Sequence, residues 1–257
     1  MSEVKTTDTE EARFLEALAV SAWPPATREE LAGWELSFDR GVTRRANSTL
    51  PNRLAAQADP EALIATVEQR YRARGLRPCF KISPAAAPAD LDRRLAARGY
   101  SAEGHSLVLT AEPEGVARRA APAPGVTLQM LEQPDQDWCG ACWPDAGSAE
   151  DEARSALAGR IESPRAFALA RIEGQPAGAA AIACRSGWAC ITAVNTPAAW
   201  RRRGVAWTLM AGLADWACRQ GAEGLYLQVE VDNGPARTLY ERLGFEEAYP
   251  YHYRRLA

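Results

Sequence analysis

The sequence predicts an α+β protein made of two related lobes. With 257 residues, of which 47% are hydrophobic and 25% charged, the chain has an ordinary globular composition and can bury a sizeable core. A helix, a strand, a short helix, a glycine with an aromatic residue and a further strand occur in this order twice. Residues 90–100 correspond to residues 235–245 in this comparison. Such a repeat indicates two halves of similar structure.

In the first half, apolar residues at helical spacing alternate with short β-prone runs, and glycine or proline marks most of their ends. We expect helices at residues 11–20, 60–74 and 90–98. We expect strands at residues 34–39, 42–48, 78–82 and 106–110. The first two of these strands should form a hairpin whose turn uses Gly41.

The second half begins after residues 112–125, which are rich in Ala and Pro and predict a linker. We therefore expect a first lobe at residues 1–115, a linker at 116–125 and a second lobe at 126–257. In the second lobe we expect helices at residues 135–143, 150–161, 205–220 and 235–243. The expected strands are residues 126–131, 166–172, 177–184, 188–196, 225–231 and 249–254.

Composition argues against several classes of function. A net charge of −3 gives no general reason for the chain to bind nucleic acid or an anionic membrane. No apolar run approaches the length of a membrane span, and the polar start lacks a signal-peptide core, so we expect a cytoplasmic protein. Six cysteines without a secretory signal predict reduced, packed thiols, including the pair Cys139 and Cys142. We expect no metal site, because the chain has only two histidines.

Residues 201–206, Arg-Arg-Arg-Gly-Val-Ala, precede a helix with an apolar stripe. At the start of a helix the backbone N–H groups lack helical partners and the helix dipole is positive, which favours an anion such as a pyrophosphate. Gly204 and Ala206 are small, so phosphate oxygens can approach these N–H groups. The three arginines could also form a nucleic-acid patch, but their place in such a loop favours the phosphates of a cofactor.

With these residues, the second lobe strongly resembles the GNAT superfamily of N-acetyltransferases. Arg201, Gly204 and Ala206 fit the Gln/Arg-x-x-Gly-x-Gly/Ala acyl-CoA loop of that superfamily, and residues 233–245 fit a second motif that ends in Leu-Gly-Phe. The resemblance covers residues 126–257, and the first lobe is similar to the degenerate N-terminal lobe of two-lobed bacterial members. It implies tandem GNAT-like lobes, each a mixed, mostly antiparallel, twisted sheet flanked by helices.

The resemblance also implies roles for individual residues. The backbone of Ala193 and Val194 would pair with the pantetheine arm of acetyl-CoA, and Asn233 would face the cofactor. Tyr240 would donate a proton to the departing thiolate, since a phenol with an ordinary pKa of about 10 stays protonated at neutral pH. The alternative is that Tyr240 only packs in the last turn of its helix. The pyrophosphate would bind to the six residues of the loop, which are Arg201, Arg202, Arg203, Gly204, Val205 and Ala206.

The general base is harder to assign. An attacking amine must be neutral, so a carboxylate or a water relay has to take its proton. In the ribosomal-protein acetyltransferase branch a glutamate sits early on the fifth strand, but this chain has Gln228 there. Strand alternation puts Gln228, Glu230 and Asp232 on one face. Glu230 is therefore the candidate base and Gln228 a candidate substrate-binding residue; the alternative for Glu230 is a solvated or salt-bridged strand residue.

The sequence thus predicts an N-acetyltransferase that moves an acetyl group from acetyl-CoA, without a metal, to a primary amine by direct attack. The additional lobe favours a small-molecule acceptor over a protein N-terminus or a lysine side chain, which would need an open groove. A non-catalytic acyl-CoA-binding sensor is the alternative from another class, because the strand-borne glutamate is missing. Nothing in the sequence sets an oligomeric state.

Overall fold

The computed structural model describes residues 9–144 and 147–257. Over these ranges the protein is an α+β structure that divides into two compact units. Of the described residues, 9–20, 24–108 and 248–257 make up the first unit, whereas 21–23 and 109–247 make up the second. The polar start of the chain lies outside the described residues.

Helices and strands are numbered in chain order. The helices are α1 (Thr9–Ala22), α2 (Pro60–Arg72), α3 (Leu91–Ala97), α4 (Pro113–Arg119), α5 (Gln136–Cys142), α6 (Ser148–Gly159), α7 (Val205–Arg219) and α8 (Gly234–Arg242). The strands are β1 (Thr27–Leu31), β2 (Trp34–Phe38), β3 (Thr49–Leu50), β4 (Cys79–Ile82), β5 (Ser101–Ala111), β6 (Val126–Leu131), β7 (Arg165–Ile172), β8 (Gln175–Arg185), β9 (Trp188–Asn195), β10 (Gly224–Glu230) and β11 (Glu246–Arg255). None of the helices in the described ranges combines the length and the apolar character that crossing a bilayer demands.

In the first unit the strands lie in the order β1-β2-β3-β4-β11-β5. β1, β2 and β3 are antiparallel neighbours, β3 and β4 are parallel, and β11 is antiparallel to β4. The core brings together β2, β4, α2 and α3 through large apolar side chains that are fully buried, each of which typically contributes about 1.5–3 kcal/mol. These side chains include Trp34, Leu36, Ile64, Tyr71, Phe80, Leu91 and Leu95.

In the second unit the strands lie in the order β10-β9-β8-β7-β6. Strands β6 to β9 are antiparallel neighbours, whereas β9 and β10 are parallel. α7 packs against β6, β7, β8 and β9, and α5 packs against β7, β8 and β9. The apolar stripe predicted for α7 is buried, as Val205, Leu209, Leu213 and Ala217 show. The helix that carries the predicted phosphate loop is therefore held firmly on its sheet.

Both units contain a strand, a loop, a helix and a second strand that runs parallel to the first. In the first unit these elements are β3, α2 and β4, and in the second they are β9, α7 and β10. In such a strand–helix–strand unit, the amino end of the helix lies near the carboxyl end of the first strand. The arrangement agrees with the two related halves that the sequence predicts.

The hairpin of the first unit differs from the predicted one. β2 pairs with β1 through a tight turn at Gly33, and the residues after Gly41 form a loop that leads to β3. The Asn47 side chain shapes this loop by accepting hydrogen bonds from the backbone N–H groups of Asp39 (2.8 Å) and Gly41 (3.2 Å). The sequence pattern does not predict β1, because Thr27–Leu31 is an exposed strand with three consecutive charged residues.

The segment predicted as a linker contains α4. Pro113 starts this helix, because proline has no N–H group to satisfy in the first turn. Val116 is fully buried and α4 packs against α7 within the second unit. Residues 248–257 group with the first unit because β11 pairs with β4. The lobes 1–115 and 126–257 remain a sequence prediction. The two compact units have different boundaries, because residues 248–257 belong to the first unit.

Candidate active site

A bulge bends β9 near its end. Ala179 of β8 lies opposite Asn195, but Ala181 lies opposite Thr192, so β9 holds one residue more than β8 over this stretch. Ala193, inside the bulge, has a φ of 54°, in the left-handed region that residues with a Cβ rarely adopt. The bulge turns the backbone of residues 193 and 194 out of the regular ladder.

The parallel pairing of β9 with β10 stops before either strand ends. It runs from Trp188 opposite Gly224 to Ile191 opposite Leu227. Residues 192–195 of β9 and 228–230 of β10 lie beyond it. Ala193 and Val194, predicted to bind pantetheine, and Gln228 and Glu230, predicted to bind and activate the acceptor, are therefore on two strands that part at this point.

α7 starts with its amino end open. Gly204 is the N-cap residue, with a φ of 80°, and among the described residues no side chain caps this helix. The Thr208 N–H donates the first helical hydrogen bond to Gly204 O (2.9 Å). The N–H groups of Val205, Ala206 and Trp207 consequently have no carbonyl partner in the helix, and they lie at the positive end of a 15-residue dipole.

Gly204 is also sterically constrained. A Cβ at this position would lie 2.3 Å from the Cβ of Ala123. Ala123 is itself fixed, because its backbone N–H donates to the hydroxyl of the fully buried Thr208 (2.9 Å). The loop therefore needs glycine both for its left-handed backbone and for the space in front of α7.

Three exposed arginines surround this open helix end. Arg201 donates from Nε to Thr196 O (3.2 Å), and the Arg203 guanidinium lies over the Trp200 ring, 5.0 Å from its centroid. Arg202 has a φ of 63°, a second left-handed residue close to Gly204. Successive backbone N–H groups in such a turn form an anion-binding concavity. Cations and N–H donors thus converge at the predicted pyrophosphate loop.

α8 carries the second motif. Asn233 is its N-cap, and its side chain accepts a hydrogen bond from the Ala236 N–H (3.3 Å). Tyr240 is only 6% exposed and packs against Phe245, with ring centroids 5.7 Å apart. Burial raises the pKa of Tyr240 to about 12. Within the described part of the chain, its hydroxyl has no hydrogen-bond partner, so the structure leaves this donor available.

From Leu227 to Glu230, β10 presents its side chains alternately, as predicted. Leu227 and Val229 are buried, Gln228 is half-buried and Glu230 is exposed. The strand ends at Glu230, so Asp232 lies in the following turn and not on the face predicted for it. Glu230 therefore stands at the open end of the strand.

The corresponding helix of the first unit, α2, has a closed amino end. Its N-cap is Asp59, whose carboxylate accepts a hydrogen bond from the Glu61 N–H (3.0 Å). A carboxylate at this position satisfies the helix dipole and would repel a phosphate. The second unit, through Gly204, is thus the unit whose crossover helix can receive an anion.

Comparison with known proteins identifies the family. A family model described as "Probable histone acetyltransferase Rv0428c C-terminal" matches residues 9–255. The chain belongs to that family. A curated relative, "Uncharacterized N-acetyltransferase YobR" of Bacillus subtilis (strain 168), is 25% identical over 244 residues, which are 94% of this chain and 97% of the relative.

Solved structures agree on the fold. A GCN5-related N-acetyltransferase from Kribbella flavida has a TM-score of 0.71 at 17% identity and covers 95% of both chains. A tandem GNAT protein from the clavulanic acid biosynthesis pathway has a TM-score of 0.67 at 14% identity and covers 94% of this chain and 87% of its own. The predicted α+β fold with tandem GNAT-like lobes is confirmed, and the protein is a GNAT N-acetyltransferase.

In this GNAT acetyltransferase, two side chains that sequence reasoning did not place at the site contact the bulge. The Cys142 thiol donates to Ala193 O (3.1 Å), and the Asn195 side-chain amide donates to Ala141 O (2.9 Å). Both hydrogen bonds join residues more than 50 positions apart. In the sequence, the one sign of these contacts is Asn195, an asparagine at the end of an apolar strand.

The Cys139 and Cys142 pair of the acetyltransferase consists of free thiols. Burial raises the pKa of both, and the Ser155 hydroxyl donates to the Cys139 sulfur (3.3 Å). A raised pKa keeps a thiol protonated and poorly nucleophilic. The pair therefore fits the predicted packed thiols better than a redox or metal centre.

Proposed function

We propose that this acetyltransferase uses acetyl-CoA and transfers its acetyl group directly to a primary amine. One observation carries the proposal: α7 presents an uncapped amino end and three arginines immediately after the bulged end of β9. Helix N–H groups suit a pyrophosphate, and the backbone amides of a bulged strand suit an extended amide-containing arm. Coenzyme A contains both groups.

The residues present fit that cofactor. Gly204 takes the left-handed conformation of the turn before α7, and among the described residues no side chain caps the helix N–H groups that follow it. Ala193 and Val194 would offer backbone groups to the pantetheine arm, and Asn233 would face it from the start of α8. When bound, acetyl-CoA supplies the acyl group as a reactive thioester. The phosphates would be held by Arg201, Arg202, Arg203, Gly204, Val205 and Ala206.

Tyr240 is the proposed acid. Because burial raises its pKa to about 12, its proton stays on Oη at neutral pH. The apolar surroundings that raise the pKa of the phenol would also raise the pKa of a thiol leaving beside it. The pKa difference between the two groups is therefore smaller than if burial affected the phenol alone. Tyr240 can then stabilise the departing sulfur by donating a hydrogen bond and complete the proton transfer as the thiolate forms.

Glu230 is the proposed base, and Gln228 is the proposed contact to the acceptor. As the amine nitrogen bonds to the acyl carbon, the carbon–sulfur bond breaks. The amine proton goes to the Glu230 carboxylate, and the Tyr240 proton goes to sulfur. Holding the two reactants together contributes more than either proton transfer, because a well-oriented pair reacts at an effective concentration of about 10⁵ M or more.

A small-molecule amine is the proposed acceptor, on the sequence argument that an additional lobe restricts access for a protein chain. The reaction is proposed to take place in the cytoplasm. To test the function, the purified protein is incubated with acetyl-CoA and a panel of small primary amines, a lysine peptide and a peptide with a free N-terminus. Free CoA is quantified by chromatography, because the protein's own thiols would react with a thiol reagent.

We expect CoA release above the amine-free rate with at least one small amine. Tight binding of acetyl-CoA without release on any acceptor would instead identify a sensor. Release with the peptides alone would assign the acceptor to proteins.

Removing the Glu230 carboxylate should slow the reaction in a pH-dependent way. Glu230→Gln is expected to lower kcat by about 10²-fold near pH 7, because the protonated amine loses its acceptor for the proton. The deficit should shrink as the pH approaches the pKa of the amine, where the neutral amine becomes abundant without a base. A pH–rate profile measures both effects, and Glu241→Gln on the exposed side of α8 is the control. A deficit that stays constant with pH would exclude Glu230 as the base.

The chain should bind one CoA molecule. The open end of α7 accepts an anion, whereas the Asp59 carboxylate closes the equivalent end of α2. Isothermal titration calorimetry with CoA is expected to give a stoichiometry of about one per chain, with no second transition at high ligand concentration. A second site that disappears on mutation of α2 would contradict this assignment.

A further inference from the structure

Side-chain hydrogen bonds fasten α5 to the bulge of β9. From the strand, the Asn195 amide donates to Ala141 O in the last turn of the helix (2.9 Å). From the helix, the Cys142 thiol donates to the carbonyl of the bulge residue Ala193 (3.1 Å). The two bonds run in opposite directions, so each element satisfies a backbone carbonyl of the other.

The opposite side of the bulge is held by the same helix. The indole N–H of Trp138 donates to the carbonyl of Ala180 (3.0 Å), the β8 residue between the two register positions that flank the bulge. Trp138 is fully buried, and its ring packs edge-on against Trp143 and Phe167, with centroids 5.2 Å apart in both pairs. α5 is therefore an anchored element and not a mobile cover.

The bulge needs such an anchor. Ala193 has a Cβ and a φ of 54°, a conformation that persists only when the surroundings enforce it. The Ala193 carbonyl is the acceptor for Cys142, and Asn195 is the residue at which the regular register resumes. These two side chains therefore fix the bulge on both sides of Val194.

We propose that Asn195 and Cys142 are positioning residues: through α5 they hold the backbone of Ala193 and Val194 in the conformation that binds the acyl-bearing arm of acetyl-CoA. This inference rests on the proposed function. Neither side chain touches the reacting atoms. Their effect should be confined to the thioester end of the cofactor, because the phosphates bind separately at α7.

Two variants remove the donors with little change in shape. Asn195→Asp replaces the amide with an isosteric carboxylate that cannot donate to Ala141 O, and Cys142→Ala removes the thiol. Cys142→Ser keeps a donor at the same position. Cys139→Ala is the matched control, since Cys139 is on the same helix but its sulfur contacts Ser155 and not the bulge.

Binding is measured with acetyl-CoA and with adenosine 3′,5′-bisphosphate, which has phosphates but no pantetheine arm. Asn195→Asp should weaken acetyl-CoA binding about 10-fold and Cys142→Ala about 3- to 5-fold, in line with the loss of buried hydrogen bonds. Cys142→Ser should lose less than Cys142→Ala. The bisphosphate should bind every variant as it binds the unmodified protein, and Cys139→Ala should match the unmodified protein for both ligands.

The outcomes separate this inference from the proposed function. If the unmodified protein does not bind acetyl-CoA, the proposed function fails and the inference fails with it. If the unmodified protein binds and Asn195→Asp binds equally well, only the inference is overturned. An equal loss of both ligands, accompanied by a lower Tm, would show a general destabilisation and would also overturn it.

Discussion

Tyr240→Phe is expected to lower kcat by about 10²-fold while leaving the affinity for acetyl-CoA within about threefold of the unmodified protein. The substitution removes the hydroxyl but keeps the buried ring and its contact with Phe245. The lost interaction is made mainly when negative charge develops on sulfur, so it should affect turnover and not ground-state binding. Steady-state kinetics and a direct Kd for acetyl-CoA measure the two quantities.

Tyr226→Phe is the matched control, because Tyr226 is fully buried on β10 and packs against Trp188. A pH–rate profile adds a second check. A pKa raised to about 12 means that the neutral, donating phenol persists as the pH rises, so its ionisation should cause no loss of activity below about pH 11. Equal turnover in Tyr240→Phe, or a descending limb near pH 9 to 10 that this variant removes, would contradict the assignment.

Gly204→Ala should weaken CoA binding by about 10²-fold. The added Cβ would lie 2.3 Å from the Ala123 Cβ, and Ala123 cannot retreat easily because it is bonded to buried Thr208. The loop must therefore shift, which moves Arg203 and the helix N–H groups away from their positions around an anion. The loss should be as large for adenosine 3′,5′-bisphosphate as for CoA, because both depend on the phosphate loop.

Gly174→Ala separates this steric effect from backbone strain. Gly174 has a φ of 78°, close to the 80° of Gly204, but nothing lies within 4 Å of the Cβ that alanine would add. Both substitutions carry the left-handed cost of about 1–2 kcal/mol, which thermal unfolding detects. CoA binding should fall only in Gly204→Ala. A similar loss of affinity in Gly174→Ala would show that the effect comes from stability and not from the loop.

Several elements of the second unit could be predicted because neighbouring residues in the sequence decide their structure. The apolar stripe of α7, the glycine before it and the glycine after α8 each involve residues that are close together along the chain, so their pattern is visible in the sequence. The same holds for the alternation along β10, where Leu227 and Val229 are buried and Gln228 and Glu230 are not. Pattern reasoning succeeded where each element's own residues decide its structure.

Elsewhere the deciding contacts are distant in sequence. α4 forms where composition predicted a linker because Val116 is buried where this helix packs against α7, about 90 residues further along the chain. The left-handed Ala193 and the bonds from Cys142 and Asn195 connect segments more than 50 residues apart. No local pattern encodes such pairings, because they arise only when separate elements meet.

During translation, the first unit cannot complete its sheet until β11 leaves the ribosome, after the whole second unit has been synthesised. Until then β4 has β3 on one side but lacks the strand on its other side, which leaves a hydrogen-bonding edge open to misassociation. A gene divided between the two sequence lobes would give a first fragment without one of its strands. The second unit is therefore free to fold before the first, in the reverse of their order along the chain.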